Sequence, residues 1–395
     1  MSGAPLAGIR IVDLSTVVMG PWATHLLAGY GADVIKVEPP DGDVMRYAGP
    51  SRHRGMGPLF MFMNRGKRSI VLDLKRAPAR AALLRVCETA DVLITNVRPA
   101  AMQRLGLGYE DVRAVNPRIV YTDLVGYGQD GPYAARPAYD DLIQGISGLA
   151  AIFARVGGEP RFVPALIADR ITGMNAAHAV IAALFARERS GEGQQVEVPM
   201  FETLAELVLS DHLAGHLFEP PAGDLGYNRA LAPNRRPMRT LDGYICLLVY
   251  TEKHWRRFFA IVGREEQFAA DPRLWDPDVR RREYDAVYGI VAEIIATRTS
   301  AEWLGALGAA DIPVVPLMDV ADLLEDEHLR ATFFGVEEHP SEGTLRTVRR
   351  PTRLSAGETP ALRHAPQLNE HGAEILREAG LDDAAIADAL SLPWP

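Results

Sequence analysis

Short apolar runs rich in β-branched residues alternate with longer segments of mixed polarity over the first 125 residues. Runs of this length and composition are typical of strands buried in a parallel sheet. Helices are predicted between them, and Pro21 and Pro78 each suit a first helical turn. The predicted strands are Ile9–Leu14, Asp33–Glu38, Ser69–Leu74, Asp91–Asn96 and Ile119–Val125. The alternation predicts an α/β fold with a Rossmann-like parallel sheet, whose ligands bind beyond the carboxyl ends of the strands.

The composition of the chain changes near residue 220. Before that point, the strongly apolar segment Ala168–Arg189 predicts a buried helix, and another helix is expected from Glu202 to about Phe218. Residues 220–239 are rich in proline, asparagine and arginine, as is typical of a linker. The remaining predicted elements are a strand at Gly243–Val249, a helix at Lys253–Val262 and two short helices over Pro366–Leu392.

Overall composition indicates a globular protein with a sizeable core, since 48% of the 395 residues are apolar. Lysine and arginine number 42 against 51 aspartate and glutamate, and this formal charge of −9 argues against a nucleic-acid or anionic-membrane surface. Two cysteines are too few for a disulfide framework or a cysteine-based zinc site. The first residues lack a basic segment followed by an apolar run. We therefore expect a cytoplasmic protein that binds neither membranes nor nucleic acid.

The segment Gly126-x-Gly128-x-x-Gly131 has the spacing of a dinucleotide-binding fingerprint. Such a fingerprint works only where its glycines end a strand and open a helix, so that a pyrophosphate rests on free N–H groups. A strand is predicted here, but Pro132 and Pro137 follow closely and disfavour a helix at the residues before them. The segment is therefore predicted to be a loop after a strand, and NAD is not expected as a ligand.

Asp169 is the first candidate for chemistry. It lies at the predicted start of the apolar helix, where the helix dipole would keep a partly desolvated carboxylate ionised. An ionised carboxylate of this kind is a competent nucleophile. The residue types alone leave open that Asp169 simply caps the helix or pairs with Arg170. Asp140 is interpreted as a turn or cap residue that introduces a helix over Leu142–Leu149.

Basic residues recur shortly after the ends of several predicted strands. Ligands of parallel sheets bind at that edge, so these cations are predicted to meet on one phosphate-rich ligand, and coenzyme A is such a ligand. Any one of them taken alone can also be solvated surface. The residues are Lys36, Arg65, Lys67, Arg68, Lys75, Arg98 and Arg104.

Two further groups of polar residues lie in or near the linker. Arg235, Arg236 and Arg239 are either ordinary surface residues or a site for a substrate carboxylate, because the planar guanidinium matches that group. The second interpretation favours a dicarboxylic acid such as succinate. His212 and His216 are four residues apart on a predicted helix, which suits a metal ion, but the sequence supplies no third ligand. No metal site is therefore expected.

Several short motifs follow one another in the first third of the chain. They are Leu6–Leu14, Gly20-Pro21, Gly31–Glu38, Asn64–Lys75, Asn96–Pro99, Arg104–Leu107 and Gly126–Pro132. Together they resemble the class III CoA-transferases, a family that includes the formyl-CoA transferases and a carnitine-related branch. The resemblance is dense to about residue 205 and thinner beyond it.

The resemblance implies a large Rossmann-like domain formed by both chain ends, residues 1–220 and 326–395, with a smaller inserted α+β domain at 221–325. It also implies that two chains thread through one another as an interlocked homodimer. The expected reactants are an acyl-CoA and a carboxylic acid. Coenzyme A would be substrate and product, and no permanently bound cofactor is expected.

The same resemblance implies that Asp169 is the catalytic carboxylate. It would attack the thioester to give a mixed anhydride and CoA thiolate, and the thiolate would return to form an aspartyl-CoA thioester that the acceptor acid resolves. Backbone N–H groups of the glycine-rich loop would steady the anhydride carbonyl. The residues implied to contact CoA are Lys75, Asn96, Arg98 and Arg104, and those implied to line the acyl site are Val18, Met19, Gly128 and Tyr139.

Departures from the family pattern bear on the substrate and on alternative activities. Val18 replaces a glutamine of the formyl-CoA branch, and Pro233–Pro237 does not reproduce its glycine-run loop, so oxalate is not favoured. The same fold hosts α-methylacyl-CoA racemases, which carry a histidine base where this chain has Tyr139. A racemase-like isomerase and a non-catalytic CoA-ester binding protein are the alternatives.

Overall fold

Six parallel strands form the central sheet. The computed structural model describes residues 3–356 and 361–391. The strands are β1 (Arg10–Asp13), β2 (Asp33–Glu38), β3 (Lys67–Val71), β4 (Val92–Thr95), β5 (Val120–Val125) and β6 (Gln194–Pro199). They lie in the order β3-β2-β1-β4-β5-β6, and every neighbouring pair is parallel. The strand order reverses between β1 and β4, where open sheets of this kind bind ligands. The predicted α/β class and parallel Rossmann-like sheet are confirmed.

Helices connect these strands and form much of the remaining described chain. They are α1 (Met19–Ala28), α2 (Pro58–Met63), α3 (Ala77–Cys87), α4 (Pro99–Leu105), α5 (Tyr109–Val115), α6 (Asp140–Ile146), α7 (Leu149–Arg155), α8 (Ile167–Ser190), α9 (Met200–His212), α10 (Glu252–Ile261), α11 (Glu265–Ala270), α12 (Pro272–Trp275), α13 (Pro277–Arg282), α14 (Tyr284–Ile295), α15 (Ser300–Ala309), α16 (Val320–Glu325), α17 (Glu327–Thr332), α18 (Gly372–Glu378) and α19 (Asp383–Leu390). Short 3-10 turns cover Val44–Tyr47 and Ala214–Leu217.

The strands of the sheet are buried along almost their whole length, from β1 to β5. Val12, Ile35 and Leu93 of three neighbouring strands share one apolar cluster with Leu83 of α3 and Leu376 of α18. Strands covered on both faces have no solvent side on which to alternate polar residues, which explains their continuous apolar runs.

The chain divides into two compact units. The first comprises Met1–Ser147, Phe162–Glu206 and Ala331–Pro395, and the second comprises Gly148–Arg161 and Leu207–Arg330. The domain limits predicted from the sequence, 1–220, 221–325 and 326–395, stay predictions. The units differ from them because residues 148–161 and 207–220 both group with the second unit, which also extends to Arg330.

The second unit has a small antiparallel sheet and an aromatic core. Its strands are β7 (Met238–Arg239), β8 (Tyr244–Leu247) and β9 (Val314–Pro316). Trp255, Phe258 and Trp303 are among the buried side chains of its core. The first unit also contains an antiparallel hairpin, β10 (Phe334–His339) with β11 (Gly343–Val348).

Strand β3 begins two residues earlier than predicted, because Lys67 and Arg68 belong to it. Both are buried, and Lys67 pairs with Asp13 at 3.0 Å while Arg68 pairs with Asp33 at 2.6 Å. Because strands were predicted from apolar runs, charged residues were left outside them. In the structure, the carboxylate partners of Lys67 and Arg68 come from strands that lie far away in sequence.

Other predicted elements shift at their ends. Helix α6 begins at Asp140 rather than Leu142. Helix α9 ends at His212, so His216 lies in the following 3-10 turn and the two histidines do not share a helix. Two short C-terminal helices are present as predicted, and Leu392, the predicted end of that region, lies outside the described residues.

The C-terminal segment covers the outer edge of the sheet at β3. The Val71 N–H donates to Asn369 Oδ1 at 2.9 Å. The His371 N–H donates to the Ser69 carbonyl at 3.0 Å, and the Ser69 N–H donates to His371 Nδ1 at 3.3 Å. An edge strand with unpaired backbone groups can pair with another chain, and these hydrogen bonds satisfy the backbone groups of Ser69 and Val71 at this edge.

Candidate active site

Asp169 lies in the first turn of α8, with its side chain half-buried. Leu166 is the residue that precedes the helix, so Asp169 is not its cap. Within residues 3–356 and 361–391, the Asp169 carboxylate accepts no hydrogen bond and forms no ion pair. The Arg170 guanidinium instead lies 4.4 Å from the centre of the Trp22 ring. Both structural interpretations left open by the sequence, a cap and a pair with Arg170, are therefore wrong.

Helices α1 and α8 approach each other closely just after Asp169. A Cβ atom at Gly173 would lie 2.5 Å from the Met19 carbonyl oxygen and 3.1 Å from the Trp22 ring, so only glycine fits between the helices. The approach brings the first turns of α8 against the start of α1. Val18 and Met19, which the family resemblance implies to line the acyl site, lie at that start and are buried.

Asp140 fixes the backbone at Asp169. Its Oδ2 accepts a hydrogen bond from the Asp169 N–H at 2.9 Å, and its Oδ1 accepts one from Gln144 Nε2 at 2.6 Å. Gln144 in turn accepts from the Val163 N–H at 2.8 Å, which ties the segment before α8 to α6. The predicted role of Asp140 as a cap of its own helix is wrong, because its carboxylate satisfies a donor of α8.

Burial and the neighbouring negative charge of Asp140 raise the pKa of Asp169 to about 7. Arg170 acts in the opposite direction but more weakly. Desolvation therefore opposes the ionised form that was expected at this helix N-terminus, and the carboxylate is only partly ionised at neutral pH. At neutral pH the group is divided between its acid and its ionised form, which is the condition of many catalytic carboxyls.

The loop between β1 and α1 is held in a strained conformation. Val17 has a φ of +71°, which is costly for a β-branched residue. Its N–H donates to Asp43 Oδ1 at 3.3 Å, and Asp43 Oδ2 pairs with the buried Lys36 ammonium at 2.9 Å. Asn96 accepts from the Thr16 N–H at 3.0 Å and donates to the Thr16 carbonyl at 2.9 Å. Side chains that follow two other strands therefore impose the conformation of this loop.

The glycine-rich loop after β5 uses its own N–H groups internally. The Gly128 N–H donates to Glu202 at 3.0 Å, and the Gln129 N–H donates to Glu197 at 3.0 Å. The Gly131 N–H donates to the Gly128 carbonyl at 3.2 Å. These three N–H groups already have acceptors, and the expectation that N–H groups of this loop steady an anhydride carbonyl stays a prediction. No helix follows until Asp140, as predicted for a loop that does not bind a dinucleotide.

The basic residues predicted to meet on a phosphate-rich ligand fall into two groups. Lys36, Lys67, Arg68 and Arg65 pair with carboxylates of the chain itself, Arg65 with Glu337 at 2.6 Å. These four do not form a phosphate site. Lys75, Arg98 and Arg104 are exposed, and no ion pair engages them within the described residues.

The remaining predicted site residues stay predictions. Asn96 is half-buried with both amide atoms bonded to Thr16, and Tyr139 is 71% exposed. Among the described residues, no group of three or more histidine, cysteine, aspartate or glutamate side chains is placed to hold a metal ion.

The whole chain was also compared with known proteins. Residues 6–372 match the family described as CoA-transferase family III. The chain belongs to CoA-transferase family III. It is accordingly an enzyme of the CoA-transferase class, as the motifs indicated.

Relatives of this family III transferase match over nearly their full length. The succinate–glutarate CoA-transferase of Agrobacterium fabrum is 33% identical over 389 residues, which is 95% of each chain. A formyl-CoA:oxalate CoA-transferase of Streptomyces avermitilis is 33% identical over 401 residues, covering 96% of this chain and 97% of that protein. The crystal structure of a CAIB/BAIF family protein from Brucella suis has a TM-score of 0.80 at 29% identity, covering 95% of this chain and 100% of that one.

Sequence reasoning missed the roles of two residues, Asp140 and Asp43, that hold the backbone around the site of the transferase. Asp140 was separated from Asp169 by 29 positions, and Asp43 had no recognisable partner along the chain. Only Asp140 had a signal in the sequence, because the adjacent Asp141 doubles the acidic charge at the start of α6. Asp43 had none, because the positive φ of Val17, whose N–H it accepts, is known only from the structure.

Within the described residues, no helix is both long enough and apolar enough to cross a membrane.

Proposed function

We propose that this family III transferase moves CoA from an acyl-CoA thioester to a carboxylic acid, with Asp169 as the covalent nucleophile. The observation that carries the proposal is the Asp169 carboxylate itself, which is half-buried, accepts no hydrogen bond within the described residues and lies beside the start of α1. A carboxylate without hydrogen bonds keeps its lone pairs free to attack. Its raised pKa of about 7 makes it more basic than an ordinary aspartate while leaving much of it ionised at neutral pH.

The proposed reaction passes through two mixed anhydrides and ends with a new acyl-CoA thioester. One Asp169 oxygen attacks the thioester carbon, the C–S bond breaks and CoA leaves as its thiolate. The thiolate attacks the aspartyl carbonyl, so the first acid departs as a carboxylate and an aspartyl-CoA thioester remains. The acceptor carboxylate attacks that thioester, and the released thiolate then attacks the new acyl carbonyl, which restores Asp169.

CoA itself is proposed to bind through the exposed cations of the first unit. Lys75, Arg98 and Arg104 have no carboxylate partner in the described chain, so they are free to pair with pyrophosphate and ribose phosphate oxygens. The chain carries a net charge of −9, so phosphate binding has to rest on individual unpaired cations such as these. Asn96 would contact CoA while its side-chain amide stays hydrogen-bonded to the Thr16 backbone.

An interlocked homodimer with an inserted small domain is part of the proposal. Large apolar side chains are strongly exposed, among them Leu217 at 71%, Val320 at 78% and Val336 at 75%. We expect the partner chain to cover some of these side chains. A cytoplasmic location, where the free thiols of Cys87 and Cys246 stay reduced, also remains a prediction.

The decisive experiment is mass spectrometry of the purified protein after incubation with a panel of acyl-CoA esters and a hydroxylamine quench. We expect a hydroxamate on the peptide that contains Asp169, and none in Asp169→Asn. Asp141→Asn, at an exposed position, serves as the matched control and keeps the modification. An unmodified peptide across the panel, together with deuterium incorporation at the α-carbon of the ester in deuterated water, would instead indicate the isomerase.

The pH dependence of the reaction tests the role of Asp140. Attack requires ionised Asp169, so kcat/KM is expected to fall as the pH drops through about 7. Asp140→Asn removes the like charge, so the pKa of Asp169 decreases and the acid limb of the profile moves to lower pH. An acid limb that stays in place in Asp140→Asn would show that this charge does not control Asp169.

A further inference from the structure

Arg170 is a half-buried cation that directly follows the proposed nucleophile in α8. Within residues 3–356 and 361–391, its guanidinium donates no hydrogen bond and pairs with no carboxylate. Its place near the N-terminal end of α8 is also unfavourable, because the helix dipole is positive there. An unpaired cation in such a place lowers stability, and departures of this kind are typical of functional sites.

Helix α1 holds the Arg170 side chain through an aromatic ring. The guanidinium lies 4.4 Å from the centre of the Trp22 ring, and the His25 ring stacks on Trp22 with 5.5 Å between the ring centres. A cation over the face of an aromatic ring is attracted by the charge distribution of the ring, and its N–H groups stay free to donate. Trp22 therefore fixes the position of this charge without neutralising it.

Asp169 supplies the negative charge that acts on Arg170. Burial lowers the pKa of Arg170 and the charge of Asp169 acts in the opposite direction, but an arginine stays protonated at physiological pH in either case. On the side of α1, burial lowers the pKa of His25 to about 3, so this ring is neutral. The charges of Asp169 and Arg170 therefore offset each other whenever Asp169 is ionised.

Acylation of Asp169 changes this balance. An anhydride or a thioester of Asp169 carries no negative charge on that side chain, whereas Arg170 keeps its positive charge. The acceptor carboxylate has to approach the aspartyl carbonyl to within about 3–3.5 Å in order to react. The acceptor is an anion, so it meets an uncompensated cation only after the side chain has been acylated.

We propose that the charge of Arg170 draws the acceptor carboxylate to the site once Asp169 has been acylated, and so sets the order in which the two substrates bind. The acylated state rests on the proposed CoA-transferase function. In the free enzyme the ionised Asp169 offsets Arg170 and repels the acid, so the acid binds weakly. After acylation the same place attracts it, without any movement of the backbone.

Equilibrium binding of propionate to the full chain tests this charge balance without any turnover. Ligand-observed NMR titrations at pH 8 use Asp169→Asn to represent the uncharged, acylated side chain. We expect Asp169→Asn to bind propionate about 10-fold more tightly than the wild type, and the addition of Arg170→Gln to remove that gain. Arg170→Lys, which keeps the charge, should retain most of the gain in the same background.

Arg189→Gln is the matched control. Arg189 belongs to the same helix and its guanidinium also lies over an aromatic ring, 3.9 Å from the centre of the Phe185 ring, but it is about 28 Å further along the helix. Added to Asp169→Asn, it should change the affinity for propionate by less than about 2-fold. An equal loss in this control, or an unchanged affinity when Arg170→Gln is added, would overturn the inference.

The wild type offers a test that needs no substitution. The pKa of Asp169 is about 7, so its carboxyl group is mostly ionised at pH 8 and mostly protonated at pH 6. The charged groups that act on it are Asp140 from α6 and Arg170 from its own helix. Propionate is ionised at both pH values, since an ordinary carboxyl group has a pKa near 4. Its affinity should therefore rise about 5-fold or more from pH 8 to pH 6 in the wild type and stay constant in Asp169→Asn. A constant affinity in the wild type would contradict the proposed balance.

Steady-state kinetics then connect the charge to the reaction. Arg170→Gln is expected to raise KM for the acceptor acid about 10-fold and KM for the acyl-CoA by less than about 3-fold. An equal rise of both KM values would indicate a general distortion of the site and overturn the inference. Propionate binding that follows the charges as described, without any acyl group on Asp169, would leave the carboxylate site standing and remove the proposed function. Acylation of Asp169 together with propionate binding that is indifferent to Arg170 would do the reverse.

Discussion

Replacement of Asp169 by asparagine is expected to stabilise the protein, and to do so only towards neutral and alkaline pH. Burial and the charge of Asp140 raise the pKa of Asp169 from 3.8 to about 7. Between these values the folded state retains a proton that the unfolded state has lost, so the free energy of unfolding falls as the pH rises from about 4 to about 7. Above that range the whole penalty is present, and asparagine, which does not ionise, avoids it.

The size of the effect follows from the shift in pKa. A change from 3.8 to about 7 corresponds to roughly 4 kcal/mol, at about 1.36 kcal/mol per pKa unit. The Asp169 side chain is half-buried, so water screens part of this penalty and we expect about 1–2 kcal/mol in practice. A gain of this size in a variant that has lost its nucleophile would indicate that the site trades stability for activity.

Denaturant unfolding of the wild type and Asp169→Asn at pH 4 and pH 8 measures this effect. The difference in the free energy of unfolding between the two proteins should be larger at pH 8 by about 1–2 kcal/mol. Asp141→Asn, on the exposed side of α6, controls for the general effect of removing a carboxylate and should show no such growth. A difference that is the same at both pH values would refute the reasoning, because it would mean that Asp169 ionises alike in the folded and unfolded chain.

Two other substitutions probe buried groups. Asp43→Ala is expected to lower the free energy of unfolding by roughly 3–5 kcal/mol because it leaves the buried Lys36 ammonium without its carboxylate, whereas Asp41→Ala, at an exposed position nearby, should change it by less than about 0.5 kcal/mol. Equal losses in urea unfolding would contradict this. Burial raises the pKa of Cys87 to about 12, so in Cys246→Ser the remaining thiol should react with a thiol reagent only as the chain unfolds. Fast labelling of the native variant would disprove it.

Local patterns were sufficient for the fold because the sheet is buried on both faces. Continuous β-branched runs and prolines at helix starts placed β1, β2, β4 and β5 within one or two residues of their observed limits. The error at β3 has a physical cause. Lys67 is tolerated in the interior only because Asp13, more than fifty positions earlier, neutralises it, and no local pattern contains that information.

The candidate site was only partly predictable for the same reason. Asp169 was identified from the unusual combination of a carboxylate with an apolar helix, which is a local feature. The rise in its pKa was not predicted, because it depends on the burial of the side chain and on Asp140, whose carboxylate accepts a hydrogen bond from the Asp169 N–H. The brace at Val17 was hidden as well, since a valine with a positive φ is recognisable only in three dimensions.

The segment that covers the edge of β3 has a consequence for how the protein is made. Asn369, which accepts a hydrogen bond from the Val71 N–H, lies 298 residues later in the chain. Synthesis proceeds at about 5–20 residues per second, so the edge of this sheet is without its cover for roughly 15–60 s after β3 emerges from the ribosome. During that interval a buried strand with free backbone donors is open to pairing with another nascent chain. Aggregation is therefore most favoured in the interval before the C-terminal residues are synthesised. A chain that ends before Asn369 would keep the edge of β3 uncovered.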